Sequence, residues 1–313
     1  MADRFAVLNR GEIVLSEVGM KWWKAMYGDT LPSNTEGGSL RRMHGAARVM
    51  FTHRDGQSRL AELDQRTPMR VLFPKVPAGT PPVAAVTTVS GGLVGGDTLD
   101  IEVSVGDRAA ATAIGQAAEK VYRSNGPDSN VEIALNVGEG AWLEWLPQET
   151  ILFDGARLNR RTVATISPGA RLLAGECLVF GRLASGETMA HGKVRDAWEV
   201  RDQKGRLHWA DTLFMEEDIL RLLDSPSGFD GARAYATAIY VGSNTAATLQ
   251  FAKALIDVGD DVRSGATCRG NVLITRWLSD NPLAVRKQFE RYWMKMRNRV
   301  GGLTESLSRL WHV

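Results

Sequence analysis
Cysteine and histidine are scarce in this chain of 313 residues, with two of the former and five of the latter. Two thiols, Cys177 and Cys268, cannot build a disulfide framework or a thiolate metal site. His44, His53, His191, His208 and His312 are scattered, with no close ligand pair among them. That distribution excludes a tight imidazole site for a transition metal. Long apolar runs are missing too: no window approaches the roughly 18 uninterrupted apolar residues of a membrane helix. Residues 1–10 mix Asp3, Arg4 and Arg10 with apolar positions and have no signal-peptide character. Nor is there an excess of one charge. The 38 basic and 36 acidic residues leave a net charge of +2, without the basic stripe of a dedicated nucleic-acid binder. These absences predict a cytoplasmic chain with reduced thiols and neither a nucleic-acid nor a membrane partner.

What is present points to strands. The chain is 44% hydrophobic and carries 32 glycines, about one in ten against a usual ~7%. Residues 1–45 read as an N-terminal extension. They hold Trp22 and Trp23 between lysines, then a Pro/Ser/Asn/Gly stretch over residues 31–39 that suits a flexible or loosely docked linker. The main body, residues 46–313, divides into a β-rich part over 46–215 and a strand/helix part over 216–313. In the first, Leu99, Ile101, Val103 and Val105 alternate with polar residues, as do Val131, Ile133, Leu135 and Val137, which is the pattern of half-buried strands. Each run ends in a similar turn: Val105-Gly106-Asp107-Arg108-Ala109, Val137-Gly138-Glu139-Gly140-Ala141 and, more loosely, Ile166-Ser167-Pro168-Gly169-Ala170. The period of about thirty residues predicts stacked β-hairpins or sheets with partly helical, solenoid-like winding; an ordinary β-sandwich is the alternative. In the second part, strands are expected over 235–241 and 272–278. Ser243 or Asn244 caps a helix reaching about residue 257, and Asp280 or Asn281 caps a second, with Pro282 in its first turn. Phe289, Trp293, Met296 and Val300 give this last helix an apolar stripe. Arg286, Lys287, Arg291, Lys295, Arg297 and Arg299 form an opposite face expected to be solvated, or to dock an acidic partner. A third short helix is expected near residues 216–223.

Three blocks carry the chemistry. Residues 90–97, Ser-Gly-Gly-Leu-Val-Gly-Gly-Asp, place Gly91, Gly92, Gly95 and Gly96 before a strand. No Gly-Lys-Ser/Thr follows and no helix opens, so a phosphate loop does not fit. The glycines suit a special backbone path or close approach of another chain segment. Residues 116–124 gather Gln116, Glu119, Lys120 and Arg123. Residues 144–156 set Glu149 and Asp154 among apolar positions. Glu176 sits likewise in the apolar run 172–180, and His191 follows. A carboxylate in an apolar strand is costly unless paired, hydrated or functional. Salt bridging is its ordinary role. No Gly-x-Ser-x-Gly elbow, His-Glu-x-x-His helix or Cys-His pair accompanies these carboxylates. Weak oxygen ligation suits passage of an ion better than storage. A carboxylate-dependent glycan-active enzyme, with Trp142 and Trp145 stacking on sugars, is a further alternative.

Taken together, residues 65–74 (Gln-Arg-Thr-Pro-Met-Arg-Val-Leu-Phe-Pro), 90–97, 116–124, 145–156, 175–181 and 230–233 (Asp-Gly-Ala-Arg) resemble the urease accessory protein D family. The likeness runs from about residue 46 to the end, in the family's order. The resemblance implies a non-enzymatic urease maturation factor of mainly β fold with two helices. It implies partners, namely apo-urease, the F accessory protein and the nickel-carrying GTPase G. It also implies nickel in transit through an internal tunnel, with no cofactor permanently bound. Carried over position by position, Asp97, Glu149, Asp154 and Glu176 become candidates for the tunnel or its mouths, with Ser90, Gln116, Glu119 and His191 as weaker ones. A pure interaction scaffold that never touches nickel remains the alternative.

Overall fold
The strands predicted at 99–105 and 131–137 do not fold back on the strands that follow them; each pairs in parallel with its counterpart one repeat away. A computed structural model describes residues 6–9, 12–15, 42–77, 79–256 and 261–312. The chain divides into two compact units, Met1–Arg41 and Arg42–Val313. Of the first, an antiparallel ladder of β1 (Ala6–Asn9) and β2 (Glu12–Leu15) is described; Trp22, Trp23 and residues 31–39 lie outside the described residues.

The second unit is a β-solenoid of about four turns. Its first sheet stacks β3 (His44–Arg54), β7 (Thr98–Val105), β10 (Ser129–Val137), β13 (Arg157–Ile166) and β15 (His191–Asp202) in parallel register. Antiparallel strands β4 (Gln57–Arg66) and β16 (Leu207–Asp218) close its two ends. The second sheet stacks β6 (Val83–Thr88), β8 (Ala110–Gly115), β11 (Trp142–Leu146) and β14 (Arg171–Phe180) in parallel. Beyond β14 it continues antiparallel through β17 (Ala234–Val241), β19 (Val272–Ser279) and β18 (Arg263–Arg269), and at its other end β5 (Met69–Leu72) pairs with β6. A narrow third wall is made by β9 (Glu119–Val121) and β12 (Thr150–Leu152), the latter pairing with the end of β14.

The turns explain why the repeats arch from sheet to sheet instead of closing hairpins. Ala109, Ala141 and Ala170 each donate N–H to the carbonyl three residues back. The third turn residue is left-handed every time, at φ 58° for Arg108, 63° for Gly140 and 69° for Gly169. One tight turn therefore directs the next strand across to the opposite layer, and the hydrogen bonds go to the neighbouring coil. Arg108 holds there, without glycine's freedom, a conformation that costs an L-residue about 1–2 kcal/mol.

Two apolar layers result. One fills the solenoid, with Leu99, Val103, Leu135, Leu143, Trp145 and Leu178 among its buried members. The other lies outside the second sheet, where Trp142, Trp277, Trp293 and Trp311 pack under the helices. Trp142 and Trp145 are both buried, so neither offers a sugar a platform. Among the described residues the α-helices are α1 (Ile219–Asp224), α2 (Thr245–Ile256) and α3 (Pro282–Gly301). The α1 helix starts later than the expected 216–223, because β16 persists to Asp218, which then caps the helix by accepting from Arg221 N. Asn281 caps α3 through its side chain, and Gly302 ends it in the left-handed conformation. The basic face of α3 is only partly solvated. Arg297 is buried and Arg286 half-buried, each turned onto a carboxylate of the solenoid. No described helix is long and apolar enough to cross a membrane.

Candidate functional site: a polar lumen between the sheets
In a stacked parallel ladder, residues directly opposite one another share a face. The inward row of the first sheet runs Leu99, Val131, Arg160, Asp196 from coil to coil. Two aliphatic slots are thus followed by two charged ones. Arg160 and Asp196 are both almost fully buried. The Arg160 Nε and Nη2 donate to Asp196 Oδ1 and Oδ2 at 2.9 Å each, a fork-to-fork pair. Its Nη1 donates to Thr150 Oγ1 on the third wall at 3.0 Å, and its Nη2 also pairs with Glu176 Oε2 from β14. Trp198 Nε1, on β15, donates to Glu176 Oε1 at 2.5 Å.

One guanidinium thus faces two carboxylates out of water. Burial pushes Glu176 well above the ordinary carboxylate range; Arg160 opposes this and the negative charge of Asp196 adds to it. Asp196 moves the other way. Burial would raise it, but the charge and hydrogen bonds of Arg160, with the Glu176 hydrogen bond, hold it low. The two carboxylates divide into one ionised partner of Arg160 and one proton carrier, as close acid pairs do.

These groups stand at one end of a cavity of about 90 Å³ between the walls, room for several waters. Leu99, Val131, Trp145 and Leu158 supply its apolar lining, and Thr88, Glu119, Gln148, Thr150, Arg160 and Glu176 its polar one. Glu119 lies opposite Thr150 on the third wall and accepts from Thr88 Oγ1 at 2.7 Å. Burial raises Glu119 too, against the lowering effect of the Thr88 hydrogen bond. Exposed Ala117 forms part of the rim.

Of the residues singled out by sequence, Glu176 and Glu119 therefore meet in the lumen. Asp97, Glu149 and Asp154 stand outside this cavity with other partners. Asp97 is buried and accepts the backbone N–H groups of Met43 and Val94 at 2.9 Å each. Glu149 holds Arg286 of α3, whose Nη2 donates in turn to the carbonyl of Trp311 at 2.6 Å. Asp154 accepts from the amides of Ala190 and His191 at 2.9 and 3.0 Å and pairs with Arg123 at 2.8 Å. Burial works to raise Asp154, yet those amides and Arg123 hold it below its ordinary value. His191 is exposed, 3.9 Å from Asp154. Gln116 is half-buried between two lining residues, Gly115 and Ala117, without lining the cavity itself. Ser90 is exposed and donates to the carbonyl of Gly92.

The glycine loop builds part of the third wall. Leu93 exchanges backbone hydrogen bonds with Lys120 and Tyr122 and lines the cavity. A Cβ on Gly92 would lie 2.6 Å from the Tyr122 ring, and one on Gly95 2.0 Å from Ser124 Oγ. The loop is thus a close fit to its own chain. Among the described residues no group of three or more His, Cys, Asp or Glu is placed to hold a metal ion.

Sequence reasoning missed Arg160, Asp196, Thr88 and the carboxylate Glu144. Glu144 lies on the outer face of the second sheet, fully buried. It accepts from Trp293 Nε1 at 2.9 Å, Trp142 Nε1 at 3.2 Å and Arg297 Nε at 3.1 Å. It is the clamp between α3 and the solenoid.

Fold and site together define a class: a β-solenoid scaffold with a charged lumen, carrying a helical layer on its second sheet. The profile of the UreD urease accessory protein family matches residues 43–312. The chain is 42% identical over 289 residues to urease accessory protein UreD of Magnetococcus marinus, covering 91% of this chain and 98% of that protein. To the UreD of Paracoccus denitrificans it is 36% identical over 274 residues, 88% of this chain and 94% of that one. For one UreD of Rhodopseudomonas palustris the figures are 36% over 270 residues, 86% and 93%. The chain belongs to the UreD urease accessory protein family, non-catalytic chaperones of urease maturation.

Proposed function
We propose that this urease maturation factor acts in the cytoplasm as a scaffold for apo-urease and the F and G accessory proteins, and that it conducts nickel through the lumen to the urease active site. The carrying observation is the pair of carboxylates, Glu119 and Glu176, set in the wall of an otherwise largely apolar cavity. An ion entering a low-dielectric interior loses several kcal/mol of hydration or more, and oxygen ligands along the wall offset that loss. Carboxylate, hydroxyl and amide oxygens bind nickel more weakly than imidazole or thiolate, so the ion is passed on. The second reading, a scaffold that never touches nickel, draws on Asp97, Glu149 and Asp154, whose partners are all within the fold.

Glu176→Gln separates the two. The substitution leaves one guanidinium facing one carboxylate; the amide oxygen accepts from Trp198, and the NH2, which replaces the oxygen paired with Arg160, donates to Asp196. The fold and the complexes with partners therefore persist. Under conduction, nickel delivery to urease drops while co-purification with urease and the F and G proteins is unchanged. Native activation by this variant, and also by Ala117→Trp, which narrows the exposed rim of the cavity, favours the pure scaffold.

A further inference from the structure
The cavity ends at Arg160 and Glu176, but the polar row does not. On the second sheet Thr237 of β17 lies opposite Glu176, and Arg276 of β19 lies opposite Thr237. All three share the inward face. On the first sheet Thr162 follows Arg160 by two positions, on the same face, opposite Trp198. Among the described residues the buried Thr162 hydroxyl has no hydrogen-bond partner, and the buried Thr237 hydroxyl lies beside the phenol of Tyr235. The row comes back to water at Arg276, paired with Asp211, their side chains 43% and 33% exposed. Arg160 thus stands between the cavity on one side and a second polar stretch on the other, which begins with the Thr162 and Thr237 hydroxyls.

We propose that Glu176 and Asp196 form a transit site for a divalent cation, kept closed by Arg160, whose guanidinium occupies the cation's place. This rests on the reading that nickel crosses the lumen. The two carboxylates and the neighbouring Thr162 and Thr237 hydroxyls are hard oxygen ligands, enough to admit a partly hydrated ion. A doubly charged ion competes for both carboxylates with twice the charge of the guanidinium, and on binding it displaces both the guanidinium and the proton carried by Glu176, which passes to water in the cavity. Arg160 differs in being tethered: once displaced, its side chain stays nearby, and its return expels the ion. A site with its own competing cation passes ions without storing them.

Removing the tethered cation turns the passage into a trap. In full-length Arg160→Met, two carboxylates keep their positions with no guanidinium between them. At equilibrium in dialysis against Ni²⁺ this variant binds about one nickel per chain, because its two carboxylates no longer have a cation of their own, and the native chain binds none. Ni²⁺ raises the variant's melting temperature by roughly 5 °C, the shift expected for a ligand well above its Kd, with no such shift in the native chain. Urease activation is lost. The neutral variant Arg160→Met/Glu176→Gln/Asp196→Asn, close to native in volume, binds no nickel, still assembles with its partners and fails to activate. Failure of Arg160→Met to bind nickel overturns the proposal, as does native activation by the neutral variant, which decides the matter even if the single variant does not fold. Ala117→Trp, which narrows the exposed rim, tests conduction separately. If it activates urease normally, conduction falls and the gate with it. If it blocks activation while the neutral variant activates normally, the gate alone falls.

Discussion

Substituting Arg297 by Met breaks the clamp between α3 and the solenoid in a way whose size can be worked out. Glu144 is fully buried and its carboxylate is met by two indole N–H groups and by Arg297. Met leaves that carboxylate buried with no cation. Breaking one side of a buried pair costs about 3–5 kcal/mol, because the stranded charge dominates. At roughly 2–4 °C per kcal/mol for a chain of this order of size, melting falls by roughly 6–20 °C. Glu144→Gln in the same chain removes the stranded charge and keeps an oxygen for the Trp142 and Trp293 donors. The double variant should therefore recover about 2–3 kcal/mol relative to the sum of the single changes. Thermal unfolding followed by near-ultraviolet circular dichroism reads both quantities, since two of the clamp's partners are tryptophans. If Arg297→Met costs less than about 1 kcal/mol, or if the two changes simply add, the clamp is not held by charge and the reasoning fails.

Two further outcomes follow from the fold. Gly140→Ala meets nothing closer than 3.9 Å, so only its left-handed backbone opposes it, and the loss should be about 1 kcal/mol by urea titration; Gly138→Ala, whose Cβ would lie 2.6 Å from Asp107 N, should lose more, and the reverse order refutes the turn argument. Asp128 accepts from Lys193 at 2.7 Å and Arg157 at 2.9 Å; burial works to raise it, but these partners hold it below its usual 3.8. A depressed folded-state value gives stability that is full above the unfolded value and lost as pH falls through the folded one. Asp128→Asn should therefore melt lower than the native chain at pH 7, by the equivalent of about 1 kcal/mol or less after solvent screening, and the gap should close in strong acid. An equal gap at both pH values counts against the pairing.

The strands and their winding were legible because a two-residue period and a thirty-residue turn repeat are local signals. The hairpin was not distinguishable from the arch, since both read as strand, turn, strand; the difference lies in which neighbour takes the hydrogen bonds. Glu176 was visible as a carboxylate in an apolar run. Its partner was hidden, because Arg160 stands in Arg-Leu-Asn-Arg-Arg, which looks like a solvated strand. Only counting one repeat onward from Val131 shows the arginine in an aliphatic slot. Glu144 and Glu176 look alike in sequence, yet they face opposite sides of the second sheet. Trp142 and Glu144 share the outer side and Leu143 and Trp145 the inner one, and nothing local tells which side becomes a lumen. Glu149 was misleading for a related reason, since its cation comes from Arg286, 137 residues away.

The charged slots also bear on why the lumen exists. An in-register stack is served best by repeating one apolar residue along each inward row, as Leu99 and Val131 begin to do. A buried ion pair adds little net stability over a well-packed apolar pair of the same volume, and often less. The Arg160, Asp196 and Glu176 set is therefore poorly explained as a stabilising device, although each member is bonded to another. Glu144 and Arg297 differ, because they join two elements that would otherwise share only an apolar seam, and a charged clamp fixes the register of α3. No such register needs fixing at Arg160, where nine-residue and ten-residue backbone ladders already align β13 with both neighbours. What the charged set adds at that place is an interior that can answer to a cation, in the part of the stack where the cavity ends and a second polar stretch begins.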